Sequence, residues 1–185
     1  MNDVVRATAR SRIEIRSGGT GPGKIGGYAA VFDQTTDLGW FGSERLARSA
    51  FNGRLGDDVR ALWNHNPADL LGRSKSKTLR LSIDSTGLEY EVDLPDTTLG
   101  RDVRELVDRG DVDGASFGFI PGEWTWDEEQ ELRTHTAVRQ LVDVSPVTFP
   151  AYDGASTEAR ALNDPATRSR SQLIRARARI ALGRV

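Results

Sequence analysis

Cysteine is absent from the 185 residues, and histidine occurs only at His65 and His135. The first absence excludes a disulfide framework, a thiolate zinc site, an iron–sulfur cluster and a cysteine nucleophile. The second leaves almost no material for a multi-histidine metal site, and no cofactor is expected. No apolar run approaches the roughly 20 residues that a membrane span needs, and the N-terminus lacks the apolar core of a signal peptide. A soluble protein of intracellular type, without a membrane partner, is the expectation. Neither an internal repeat nor a low-complexity segment is visible. What is abundant is glycine, with 19 residues beside seven prolines, a balance that favours a turn-rich sheet over a helical bundle. The length suits one domain with a core of its own, with or without a tail.

Charge is unevenly spread. From Pro165 onward there are six arginines and no acid, so with an overall charge of −2 the preceding 164 residues carry −8. An acidic body is no nucleic-acid-binding domain by composition, and no specific nucleic-acid partner is expected. The basic end can meet an acidic partner or remain a solvated tail.

Hydrophobic periodicity supplies the elements. Residues 1–11 read as a loose start. Ile13 and Ile15 alternate with charged residues, and Ile25 to Phe32 reads as a buried strand. Leu46, Ala47, Ala50 and Phe51 are spaced for a short amphipathic helix within 43–55. Val59 to Trp63 is a short strand running into Asn64-His65-Asn66-Pro67, where the proline forces a turn. Leu79, Leu81 and Ile83, then Leu88, Tyr90, Val92 and Leu94, alternate on two strands joined by hairpin chemistry at Asp84–Gly87. Asp96 is placed to cap a helix whose apolar face is Leu99, Val103, Leu106 and Val107, and which Gly110 stops. Ala115, Phe117 and Phe119 point to one side of the next strand, Ser116 and Gly118 to the other. Trp124 and Trp126, Leu132 to Ala137 and Val138 to Val144 complete the series. The expected class is mainly β with two flanking helices, a mixed α+β fold built on a closed or barrel-like sheet.

The candidate chemistry is sparse. A serine nucleophile needs a base to take its proton and a third group to orient that base, and histidine is the base whose pKa suits neutral pH. Ser116 lies among small residues, with Gly114 and Gly118 nearby. His65 sits at a strand end, and Asp143 is a charge on an otherwise apolar strand that asks for a partner. Each has a plainer reading: strand packing, a satisfied turn histidine, a solvent-facing acid. Spacing alone leaves both open. Gly114-Ala-Ser-Phe-Gly118 matches the nucleophile-elbow pattern formally, but no helix follows it, so an α/β-hydrolase is rejected. Glu89 and Glu91 share one strand face and read as a solvated edge rather than a carboxylate-pair hydrolase.

Several segments taken in order sharpen this reading. They are Gly27-Tyr-Ala-Ala-Val-Phe32, Glu44, Ala50-Phe51, Trp63-Asn-His-Asn66, Leu71-Gly-Arg73, Thr78–Leu81 and Gly87-Leu88. Gly110-x-Val-x-Gly-x-Ser-Phe-Gly-Phe119 and Asp143-Val-Ser-Pro-Val-Thr-Phe-Pro-Ala-Tyr152 follow. Together, across Ile25 to Tyr152, the chain resembles the prohead maturation proteases of tailed bacteriophages, serine peptidases related in fold to the herpesvirus assemblins. The resemblance implies Ser116 as nucleophile, His65 as general base and Asp143 as the acid that orients His65, where relatives often carry Glu. Assemblins use a second histidine as third member, which makes His135 the rival, although its segment does not match the motif. No arginine follows Asp143 until Arg160, so the assemblin oxyanion arginine has no counterpart there. Backbone N–H groups of Phe117 and Gly118 are the expected oxyanion donors. Ser49 stands where the family favours glycine.

The resemblance further implies a protease domain over 1–162 and a basic tail over 163–185 that is self-cleaved, docks on the shell or is a disordered, solvated end. The implied substrate is the major capsid protein, through its delta or scaffold segment. The implied setting is the procapsid interior, beside portal and shell, in the bacterial host cytoplasm. A homodimer or higher oligomer is expected from the assemblins. The competing reading is a non-enzymatic, scaffold-like head-assembly protein of the same fold.

Overall fold

A computed structural model describes residues 4–9, 13–16, 21–37 and 42–149. The basic tail at 163–185 and the end of the Asp143–Tyr152 segment lie outside the described residues. Among the described residues the chain is mainly β with a single helix, and no helix is long and apolar enough to cross a membrane.

Three sheets share one core. The first is ordered β1 (Val5–Ala9), β10 (Gly114–Pro121), β13 (Val138–Val147), β6 (Arg60–Leu62) and β7 (Leu70–Arg73). The second runs β11 (Trp124–Asp127), β12 (Leu132–His135), β5 (Ser43–Leu46) and β4 (Thr36–Asp37). The third runs β2 (Glu14–Arg16), β3 (Lys24–Val31), β9 (Gly87–Asp93) and β8 (Leu79–Ile83). Among the described residues no series of pairings closes on itself, so the expected closed barrel is not found. β7, with four residues, and β4, with two, end their sheets, and among the described residues neither pairs with a further strand on its free side.

Where the alternation was clean the strands formed as read. Asp84 Oδ1 accepts the N–H groups of Thr86 at 2.7 Å and Gly87 at 3.0 Å, which closes the β8–β9 hairpin. The helix α1 (Thr98–Asp108) buries Gly100, Val103 and Val107 and is followed by Gly110 at φ +77°. Its cap is Thr97, whose Oγ1 accepts from Gly100 N at 3.2 Å, and not Asp96, which pairs with Arg101 at 2.5 Å.

Three further expectations need correction. The supposed helix within 43–55 is β5 followed by turns, with Ala50 N bonded to Ala47 O and Arg54 N to Phe51 O in the i→i+3 manner. Glu44 and Leu46 are buried in period two, and Gly53 at φ +74° breaks any helical continuation. Ala50 and Phe51 nonetheless reach the core from those turns. The loose start contains β1, whose Val5 packs against the core. Glu89 and Glu91 lie on the central strand β9, not an edge, and pair with Arg16 at 2.5 Å and with Lys24 and Arg80 at 3.2 and 2.7 Å. On β13, strict alternation by itself would put Leu141 on the same side as Asp143. A register shift pairs Gly118 with Asp143 but Phe119 with Leu141, and Leu141 turns into the core.

That core carries the site. Phe51 packs edge-on against Phe117 with ring centroids 5.4 Å apart, and Phe117 stacks on Phe119 at 5.2 Å. Every second residue of β10 is thereby anchored, and the residues between them are held on the opposite face.

Candidate active site

On that opposite face the register sets out a small polar constellation. Antiparallel partners share a face, so pairing Ser116 with Ser145 and Gly118 with Asp143 puts all four together. Asp143 is also in register with Arg60 of β6, the strand that leads directly into His65. Three adjacent strands, β10, β13 and β6, therefore deliver the serine, the acid and the histidine.

The histidine arrives by an unusual turn. Asn64 and His65 both adopt left-handed backbone, at φ +50° and +58°. Such a conformation costs a non-glycine residue about 1 kcal/mol or more and persists only where the surroundings dictate it. Here Asn64 is clamped to the end of β13: its N–H reaches Pro146 O at 3.1 Å, and its side chain accepts from Thr148 N at 2.8 Å. Asn66 closes the far side by accepting Ala68 N at 3.1 Å and donating to Asp69 Oδ2 at 2.7 Å. Asparagine is the residue best suited to this region after glycine.

The clamp folds the imidazole back over β13. His65 Nδ1 lies 2.5 Å from Asp143 Oδ1, with the two side chains only 11% and 4% exposed. Ser145 Oγ donates to the same oxygen at 2.8 Å. The other carboxylate oxygen lies against Gly118, where a side-chain carbon would overlap it. Asp143 is thus buried on the Ser116 face, with its Oδ1 met by the imidazole and the hydroxyl rather than by solvent. Ser116 is 2% exposed.

His135 is placed elsewhere. It lies on β12, against the edge of the Phe119 ring at 5.3 Å, on the core side of β10. Its carboxylate partner is Glu44, with Nε2 to Oε2 at 3.4 Å, and its Nδ1 is buried without a hydrogen-bond partner. The structure therefore brings His65 to Asp143 and keeps His135 behind the sheet. Phe117 and Gly118 are in register with partners on both flanking strands, Ala7 and Val144 for one, Arg6 and Asp143 for the other.

Ser145 is the site neighbour that sequence reading passed over, although its two-residue spacing from Asp143 already put both on one side of β13. The bare Cα of Gly118 leaves room for Asp143 Oδ2.

The comparisons agree with one another. A sequence model described as caudovirus prohead serine protease matches residues 11–168. Over 167 residues the chain is 28% identical to the prohead protease of Enterobacteria phage HK97, covering 86% of this chain and 70% of that protein. Among solved structures, the capsid assembly protease of bacteriophage T4 superposes with a TM-score of 0.50 at 14% identity, over 80% of this chain and 98% of that one. At that identity the likeness is one of fold.

Proposed function

Since the chain belongs to the caudovirus prohead serine protease family, we propose that it is an endopeptidase working by Ser-His-acid acyl transfer, with Ser116, His65 and Asp143 in those roles. The observation that carries this reading is the 2.5 Å contact between His65 Nδ1 and Asp143 Oδ1, on the sheet face that also bears Ser116. Ser116 is the diagonal neighbour of Asp143, at the roughly 7–8 Å typical of such pairs. An imidazole held by the acid through Nδ1 is of a size to span that gap and offer Nε2 to the hydroxyl.

In this mechanism Ser116 Oγ bonds to the scissile carbonyl carbon while His65 Nε2 takes the hydroxyl proton. Asp143 stabilises the imidazolium and keeps its Nδ1 protonated. As the C–N bond breaks, His65 returns the proton to the leaving amine. Water, deprotonated by the same imidazole, then cleaves the acyl ester and restores Ser116.

The substrate in this reading is the capsid protein, through a scaffold or delta segment, cut inside the procapsid in the host cytoplasm. Residues 1–162 form the protease domain, and the basic tail is a self-cleavage or shell-docking segment. The kinship to herpesvirus assemblins rests on the family resemblance and not on barrel closure. The test is coexpression with the cognate capsid protein. Wild-type chain shortens the capsid protein and Ser116→Ala, equally folded, leaves it whole. Processing that survives Ser116→Ala removes the serine from its role, and a wild-type chain that never processes its partner points to a non-enzymatic assembly factor.

A further inference from the structure

Ser145 is fully buried, and its hydroxyl proton is committed to Asp143 Oδ1 at 2.8 Å. That oxygen is the one His65 Nδ1 meets at 2.5 Å. Two donors therefore converge on a single carboxylate oxygen, one from the same strand and one from the turn after β6.

A hydroxyl has one proton to give. That of Ser145 goes to the acid and not to the imidazole, and the ring nitrogen free to act as base points away from the carboxylate. Ser145 is thus poorly placed as a nucleophile although it stands directly opposite Ser116 in the β10–β13 register. It is well placed for a different task. The terminal torsion of an aspartate is broad and roughly two-fold, so packing alone leaves a carboxylate free to swing. Here Oδ1 is gripped by two donors, and Oδ2 occupies the space that only a glycine at 118 leaves open. The carboxylate has one orientation compatible with all three neighbours, and in it a lone pair is aimed at Nδ1 of His65.

Resting on the acyl-transfer reading above, we propose that Ser145 is a positioning residue: by donating to Asp143 Oδ1 it locks the carboxylate in the orientation that aligns His65 for proton transfer from Ser116. Ser145 touches no reacting atom and acts only through Asp143. Hydrogen bonds to a charged group are the strong class, and misalignment of a base-orienting acid is felt in the chemical step rather than in binding.

The experiment uses the full chain and a fluorophosphonate probe. Serine Oγ forms a bond to phosphorus, the P–F bond breaks, fluoride leaves, and the hydroxyl proton passes to the imidazole. Saturation kinetics separate the maximal rate of labelling, kinact, from the probe affinity, KI, and the end-point gives the fraction of active protein. Ser145→Ala is expected to lower kinact about tenfold, the worth of one charge-assisted hydrogen bond, with KI and the active fraction unchanged. Ser145→Thr keeps the hydroxyl and is expected to recover most of the rate. Should the alanine variant fail to fold, Ser145→Cys keeps the volume with a much weaker donor and carries the same comparison. A kinact equal to wild type, or a loss confined to the active fraction, overturns the proposal and makes Ser145 structural. Failure of the underlying triad reads differently: Ser116→Ala would then label as fast as wild type.

Discussion

Adding one methyl group at Gly118 tests the geometry of the acid directly. Gly118 lies inside β10, paired to Arg6 on one side and Asp143 on the other, so its backbone has no freedom to retreat. A Cβ there overlaps Asp143 Oδ2 and comes within 3.1 Å of Asp143 Cγ. Contacts under 3.0 Å are not sustained, so in Gly118→Ala the carboxylate must rotate away and abandon the 2.5 Å bond to His65. Overpacking of this kind costs about 1–3 kcal/mol, and loss of a hydrogen bond to a buried charge about 1.5–3 kcal/mol. Allowing for partial relaxation, the expected destabilisation is about 3 kcal/mol, or a fall in Tm of about 6–12 °C for a chain of this size. Labelling by the fluorophosphonate probe should fall by about a hundredfold or more, as expected when the base loses its orienting acid. Thermal unfolding by circular dichroism and the labelling rate at saturating probe give the two numbers. A double-mutant cycle isolates the cause: in an Asp143→Ala background the overlapping oxygen is gone, and Gly118→Ala should cost less than about 1 kcal/mol. If the methyl costs as much without Asp143 as with it, or if Gly118→Ala labels at the wild-type rate, the carboxylate is not held where the reasoning puts it.

The remaining predictions concern the parts around that centre. His135→Ala removes a buried ring that packs against Phe119 and meets Glu44, and the cavity should destabilise the fold by about 3 kcal/mol, read by denaturant titration. The labelling rate of the protein that remains folded should be unchanged; a collapse like that of His65→Ala would restore His135 as the orienting group. Acid stability should follow Asp93 and Asp84. The Arg80 guanidinium bonded to Asp93 holds its carboxyl below the ordinary 3.8, and the Tyr28 hydroxyl, then the Gly87 and Thr86 N–H groups, do the same for Asp84. A folded-state value below the unfolded one stabilises at pH above the ordinary value and ceases to do so as pH falls through the depressed value. The Tm difference between wild type and Arg80→Gln should therefore be greatest near neutrality and shrink below about pH 4; a difference that grows on acidification would contradict the assigned pairing.

The strands of the core were legible because their burial is one-sided and periodic: Ala115, Phe117 and Phe119, or Leu88, Tyr90 and Val92, announce a buried face wherever the strand ends up. The hairpin at Asp84–Gly87 and the helix over 98–108 were legible for the same local reasons. The segment after Ser43 was not. Leu46, Ala47, Ala50 and Phe51 have helical spacing, yet parallel pairing of β5 with β12, 89 residues away at the Arg133–Glu44 register pair, outweighed it. The cap falls one residue beyond Asp96: both residues are good caps, and Thr97 is the one with extended backbone whose Oγ1 accepts the Gly100 N–H, while Asp96 pairs with Arg101.

By itself the sequence determined which chemistries are closed to this protein and which residue types remain. Without cysteine and with two histidines, a hydrolase built on a nucleophile has one imidazole in a matching segment, and the ordered motifs name its family. It could also assign Ser116 and Gly118 to the face of β10 opposite the phenylalanines, because alternation along a strand is a local property. Only the tertiary structure decided what meets what. The approach of His65 to Asp143 joins residues 78 apart and depends on a left-handed turn clamped by Asn64 to the end of a different strand. The register shift that sends Leu141 inward while Asp143 stays on the Ser116 face is a property of two strands paired, not of either one. The convergence of Ser145 and His65 on one carboxylate oxygen, beside a glycine that leaves room for the other, follows from that pairing and from nothing in the local sequence.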